Sequence, residues 1–160
     1  MRLHLPFTRA IAAIALFTAA ACKRDTGPGG SPSNPAVETY AASLGVNISQ
    51  MTKISDNLYF QDLVPGTGTT AAAGSDVSVT YTGWLANGTQ FDSNVGGAAF
   101  PFTLGAHDVI DGWDLGLVGM KAGGKRKLVI GSALGYGSDG RGPIPPNATL
   151  VFVVQLLSVK

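Results

Sequence analysis

The groups from which this 160-residue chain must build any chemistry are 7 Phe, 4 Tyr, 2 Trp, 10 carboxylates, 2 His and a single Cys. One cysteine cannot close an internal disulfide, and with two histidines it cannot assemble a cysteine-rich zinc site. Gly119-Met-Lys-Ala-Gly-Gly124-Lys125 has the spacing of a phosphate loop, but Arg126 stands where Ser or Thr would hold magnesium and the segment leads into a strand pattern. A turn followed by a basic strand edge is the simpler reading. Asp108, Asp111 and Asp114 lack the alternating oxygen ligands and terminal Glu of a calcium loop, and helix capping accounts for the latter two. His107 has no Ser or Cys nucleophile in a recognisable motif beside it, which argues against a hydrolase triad and for an exposed loop residue. No metal and no cofactor is expected. What remains is an aromatic set, Tyr81, Phe91, Phe100, Trp113, Tyr136 and Phe152, in combination with one carboxylate. Aromatic side chains spread over strands are ordinarily core.

The elements that must position these residues are legible from periodicity. Val77, Val79 and Tyr81 alternate with Ser78, Thr80 and Thr82, the period-two pattern of a half-buried antiparallel strand, and Ala86-Asn-Gly-Thr89 supplies a hairpin turn. Phe100, Phe102 and Leu104 repeat the alternation, whereas Leu128–Ile130 and Leu150–Leu157 are dense apolar runs expected of strands covered on both faces. Between them Asp111–Val118 reads as a short helix, with Asp111 as N-cap and Asp114 in the capping-box position. An antiparallel sheet with one short helix packed on it is an α+β domain. Charged residues make up 13% of the chain, 11 basic against 10 acidic, so no attraction to nucleic acid is expected, and 22 glycines announce many turns and few long helices.

The N-terminal part reads as an address and a tether. Arg2 and Arg9 precede an uncharged, largely apolar stretch from Ala10 to Cys22, too short for a membrane span and suited to a signal peptide over residues 1–21. Thr18-Ala-Ala-Ala-Cys22 resembles a bacterial lipoprotein box and makes Cys22 the expected lipidation site; Ala19 stands where Leu is usual, which leaves plain cleavage next to Ala21 as the alternative. Lys23 after that cysteine points away from inner-membrane retention. Export, with a periplasmic or cell-surface location and a lipid anchor in a membrane, follows as the expectation. Residues 22–35 continue as a Gly/Pro-rich flexible tether, and residues 36–53, with Val37, Tyr40, Ala41, Leu44 and Ile48 near helical spacing, read as a short helix packing on the domain. The remaining domain is set at 54–160.

The order of residues in that domain carries a resemblance. Val79-Thr-Tyr-Thr-Gly-Trp-Leu85, Phe91-Asp-Ser93, Phe100-Pro-Phe-Thr-Leu-Gly105, Val109-Ile-Asp-Gly-Trp113, Gly135-Tyr-Gly137 and Ile144-Pro-Pro-Asn-Ala-Thr-Leu-Val-Phe152 closely resemble the FKBP-type peptidyl-prolyl cis-trans isomerases, the immunophilins that bind tacrolimus and rapamycin. The similarity runs from about Asn57 to Lys160. It implies an FKBP-like fold, an antiparallel twisted sheet of five to six strands forming a half-barrel around the helix. It also implies cis-trans isomerisation of X-Pro bonds, proline-containing polypeptides as partners, the two drugs as inhibitors, and a monomer.

Carried over by position, the resemblance makes Tyr81 a pocket wall whose hydroxyl holds Asp92, and Phe91 and Phe100 further walls. Val109 and Ile110 edge the pocket, with the Ile110 N–H offered to a substrate carbonyl. Trp113 is the floor, Tyr136 offers its hydroxyl to a ligand carbonyl, and Ile144 and Phe152 close the site. Asp108 contributes its backbone carbonyl. Two departures accompany this match. Val95–Ala99 is one residue shorter than in common members and lacks a basic residue that often pairs with the pocket carboxylate. The loop Ser138–Pro143 is also one residue short, with Arg141 near the place of a frequent histidine. A peptide-binding module without turnover and a purely structural surface lipoprotein are the readings that compete with an isomerase.

Overall fold

The computed structural model describes residues 31–160, so the expected signal peptide, Cys22 and most of the expected tether lie outside the described residues. Seven strands form one sheet: β1 Thr52–Ser55, β2 Leu58–Val64, β3 Asp76–Leu85, β4 Gln90–Ser93, β5 Phe100–Thr103, β6 Lys125–Ile130 and β7 Leu150–Val159. The spatial order is β1-β2-β6-β7-β3-β4, with β5 also paired to β3, and every pairing is antiparallel. β3 is shared along its outer edge: Asp76–Val79 pair with β5, and Thr82–Trp84 with β4. That split lets one strand feed both a core layer and the pocket. The sheet thus has one strand more than the sequence motifs imply, because β1 starts before Asn57.

The expected alternation is present in the dense runs once both faces are considered. Leu128, Ile130, Leu150, Phe152, Val154 and Leu156 point to the helix side with Leu58, Val77 and Val79, while Val129 and Val151 point the other way. The helix α1, Asp111–Gly116, has six residues, too few for stability in isolation. It persists by packing: Gly112 and Gly116 bring its backbone onto β6, where added Cβ atoms would meet Ile130 at 2.5 Å and Leu128 at 2.8 Å. Among the described residues no helix is long and apolar enough to cross a membrane.

Three sequence expectations need correction. Residues 36–53 do not form a helix; they run as three short 3-10 turns, Pro35–Val37, Ala42–Leu44 and Ile48–Gln50, before entering β1. Gly45 breaks the run in the left-handed conformation (φ +54), and the segment is held as a strap by Leu44, Met51, Tyr40 and Ile48 packed on Tyr59, Val129 and Val151. The helix N-cap is Ile110, not Asp111, and no side chain caps it. Asp114 instead turns back, its buried carboxylate accepting from the Gly105 and His107 amides at 2.8 and 3.1 Å. Finally, the basic segment after Gly124 is no strand edge: β6 lies inside the sheet, with Arg126 and Lys127 both buried.

Those two cations are satisfied on opposite faces. Arg126 grips Asp62 through Nε and Nη2 (2.6 and 3.1 Å), donates to the Gly116 and Val118 carbonyls at the end of α1, and lies 4.1 Å over the Phe60 ring. Cationic donors suit the carbonyl end of a helix. Lys127 reaches the strap, donating to the Leu44 and Gly45 carbonyls at 2.5 and 2.9 Å. Burial pushes its ammonium below the usual lysine range.

Candidate active site

A cleft of about 620 Å³ opens on the helix side of the sheet, between the inner faces of β3, β4 and β7 and the loops before α1 and after β6. β3 contributes Tyr81, β4 contributes Phe91 and Asp92, β5 contributes Phe100 and β7 contributes Phe152. Asp108, Val109 and Ile110 come from the loop into α1, Trp113 from its first turn, and Tyr136 and Ile144 from the segment between β6 and β7. Every site residue named from sequence in the domain therefore lines this one cleft. His107, Arg141 and Pro143 line it too. Sequence reading left His107 as a loop histidine, and its isolated position carried no signal for the rim.

Trp113 lies at the bottom, 4% exposed, at the hub of edge-to-face contacts. Its ring centroid is 5.0 Å from Tyr81 and 5.3 Å from Phe152, with interplanar angles of 82° and 83°. Phe91 meets Phe152 at 5.5 Å and 88°, and Phe100 meets Tyr81 at 6.3 Å and 73°. Positive ring edges on negative faces make these arrangements favourable and fix the ring planes. The close approach of Phe91 and Phe152 requires glycine beneath them: a Cβ on Gly83 would stand 2.7 Å from atoms of both rings. The buried Trp113 Nε1–H has no hydrogen-bond partner among the described residues, a cost of about 1–3 kcal/mol that the surrounding packing must offset.

Polar groups are few and placed at the edges. The Tyr81 hydroxyl donates to Asp92 Oδ2 at 2.6 Å, and burial, with smaller contributions from Asp92, pushes the phenol up to about 12. A neutral Tyr81 is thus maintained across the physiological range. Asn94, which sequence reading missed, anchors this wall. Its side-chain oxygen accepts from the Tyr81 amide at 2.7 Å, while its nitrogen donates to Val79 and Ala98 carbonyls. The Ile110 carbonyl accepts from Trp113 and Asp114 amides, but the Ile110 N–H donates to nothing among the described residues. The Tyr136 hydroxyl likewise makes no hydrogen bond there, and the Arg141 guanidinium lies 5.8 Å from the Tyr136 ring centre.

His107, Asp111 and Asp114 bring ligand atoms within 4.8 Å of one another, the closest approach to a metal-ligand set among the described residues. Asp114 is already engaged by two amides, and the exposed His107 Nδ1 faces Asp111 at 3.2 Å. The group works as a clamp that keeps His107 in its left-handed conformation (φ +60) at the entrance to α1.

Comparisons with known proteins agree with this geometry. The family model described as FKBP-type peptidyl-prolyl cis-trans isomerase matches residues 67–157. An FK506-binding protein of Neisseria meningitidis serogroup B is 53% identical over 104 residues, covering 64% of this chain and 95% of that protein. FK506-binding protein 4 of Rhizopus delemar is 51% identical over 112 residues, but these cover 69% of this chain and 29% of that longer protein. Among solved structures, FkpA from Escherichia coli superposes with a TM-score of 0.63 at 42% identity, over 69% of this chain and 51% of that one. A peptidyl-prolyl cis-trans isomerase from Pseudomonas syringae gives 0.64 at 34% identity, over 74% and 86%. With the motifs in one cleft and a family match over more than half its length, the chain belongs to the FKBP-type peptidyl-prolyl cis-trans isomerases.

Proposed function

We propose that this protein catalyses cis-trans isomerisation of X-Pro bonds in exported polypeptides and so assists their folding. The observation that carries the reading is an apolar aromatic floor edged by two donors without partners among the described residues, the Ile110 N–H and the Tyr136 hydroxyl. Rotation about an X-Pro bond is slow because amide resonance opposes it with a barrier of about 18–20 kcal/mol. The twisted amide is less polar than the planar one, so a water-poor bowl built on Trp113, Tyr81 and Phe152 favours it relative to bulk water. With the proline ring on Trp113, the Ile110 N–H meets the proline's own carbonyl beside the helix start. The Tyr136 hydroxyl takes the carbonyl side of the preceding residue. Asp92 orients Tyr81, and no proton need move. Lowering the barrier by about 5 kcal/mol accelerates exchange several-thousand-fold.

Export and anchoring are part of the same reading, supported by the charge-free stretch from Ala10 to Cys22 and the Gly/Pro-rich tether that precedes the domain. The purified chain is expected to accelerate exchange of an Ala-Pro peptide, followed by NMR, and tacrolimus or rapamycin to abolish the acceleration. A folded chain that leaves the exchange rate at its uncatalysed value refutes the isomerase reading. A peptide binder without turnover would still retain the peptide in that experiment. Mass spectrometry of the mature N-terminus tests the anchor, with an acylated Cys22 expected and a chain beginning unmodified near residue 22 against it.

A further inference from the structure

We propose that Arg141 makes this site prefer an acidic side chain on the residue preceding proline. This deepens the isomerase reading and rests on it. Arg141 lines the cleft, is exposed, and carries the rim's permanent positive charge; no carboxylate lies within ion-pairing distance of it among the described residues. Its backbone is fixed by a reciprocal bridge, Arg141 N–H to the Ile144 carbonyl and Ile144 N–H to the Arg141 carbonyl, each 2.9 Å, closed by the two-residue turn Gly142-Pro143. Ile144 is itself a buried wall of the cleft, so the bridge ties the Arg141 backbone to that wall. The guanidinium also lies over the Tyr136 ring, a placement that a planar cation favours.

The opposite rim has another balance. Asp108 lies on the loop into α1. Asp111, the first residue of the helix, stands just behind it facing His107, and Asp92 is engaged by Tyr81. With the proline carbonyl at Ile110, the chain after proline leaves past that acidic side. The residue before proline lies toward Tyr136, beneath the guanidinium. A carboxylate there gains an attractive partner in a partly desolvated rim, and an ammonium is repelled by it.

The experiment compares kcat/KM for Glu-Pro, Ala-Pro and Lys-Pro peptides of otherwise equal sequence, with the wild-type chain and with Arg141→Ala and Arg141→Glu. Because the side chain is exposed and the bridge uses backbone atoms, both variants should fold, which circular dichroism checks. The wild type is expected to favour Glu over Lys about five-fold at low salt, Arg141→Ala to erase the difference and Arg141→Glu to invert it. At about 1 M salt, where screening acts within roughly 3 Å, the wild-type ratio should collapse. Acceleration of all three peptides with a Glu-to-Lys ratio unmoved by Arg141→Glu overturns this inference alone. Acceleration of none overturns the isomerase reading and the inference with it.

Discussion

The two faces of the sheet are closed by different means. On the helix side a six-residue helix and two loops cover the core but leave the aromatic cleft, whereas on the other side the strap of 3-10 turns packs flat on Tyr59, Val129 and Val151. Neighbouring cations on β6 sample both environments. Arg126 meets a carboxylate, two carbonyls at and just past the end of α1 and an aromatic ring, while Lys127 meets two strap carbonyls and no carboxylate within ion-pairing distance among the described residues. The difference teaches that a buried charge can be answered by a counter-charge or by backbone dipoles alone, and that the second answer leaves its burial cost visible as a lowered pKa.

The strongest way to break this division of labour is at the cleft floor. Trp113→Ala removes a nearly fully buried indole and is expected to cost about 3–5 kcal/mol in urea denaturation, together with the loss of isomerase activity. Stability retained in full would mean that the floor is not part of the core. Next, Arg126→Met strands Asp62 and two carbonyls and is expected to cost about 2–4 kcal/mol, whereas Lys127→Met strands two carbonyls and should cost about 1–2 kcal/mol. Equal losses would erase the contrast between the two cations. Activity of folded Lys127→Met should match the wild type, because its partners lie across the sheet from the cleft.

Smaller changes sharpen the picture. Gly83→Ala forces Phe91 and Phe152 apart, with an expected cost of about 1–2 kcal/mol and a roughly ten-fold drop in kcat/KM; unchanged kinetics would show that the ring pair is not part of the working geometry. Lys127 also predicts a pH dependence. Its folded pKa lies below the ordinary value of 10.5, so between the two the unfolded chain binds more protons. Stability from this group should therefore rise with pH across that window, and Lys127→Met should flatten the rise. Smallest is a spectroscopic effect at the cleft: ultraviolet titration should find Tyr81 ionising near 12. Asp92→Asn should lower that value only in part, because burial is the largest single contribution. A return to 10 in the variant would reverse that ranking.

Much of the site could be read in the chain because its residues sit in short runs whose order is distinctive. Tyr81 within Val-Thr-Tyr-Thr-Gly and Asp92 beside Phe91 are such cases, and the 2.6 Å bond between them matches the expected pair. Other positions had no local signature. Asn94 looks like any loop asparagine until its amide is seen stitching Tyr81, Val79 and Ala98 together. Asp111 and Asp114 have capping-box spacing, yet the loop amides of Gly105 and His107 compete for Asp114 and win, since a buried carboxylate without donors would cost more than an uncapped helix end.

By itself the sequence determined the α+β class, the four strands β3, β5, β6 and β7, the short helix and the aromatic set, because periodicity, apolar runs and the order of motifs are local properties of the chain. Tertiary structure decided that residues 36–53 become a strap, that β6 is interior and that Arg126 and Lys127 are buried. Their partners lie 64 and 83 residues away, at Asp62 and Leu44. A side chain's solvation depends on what the fold brings over it, and no spacing along the chain records that.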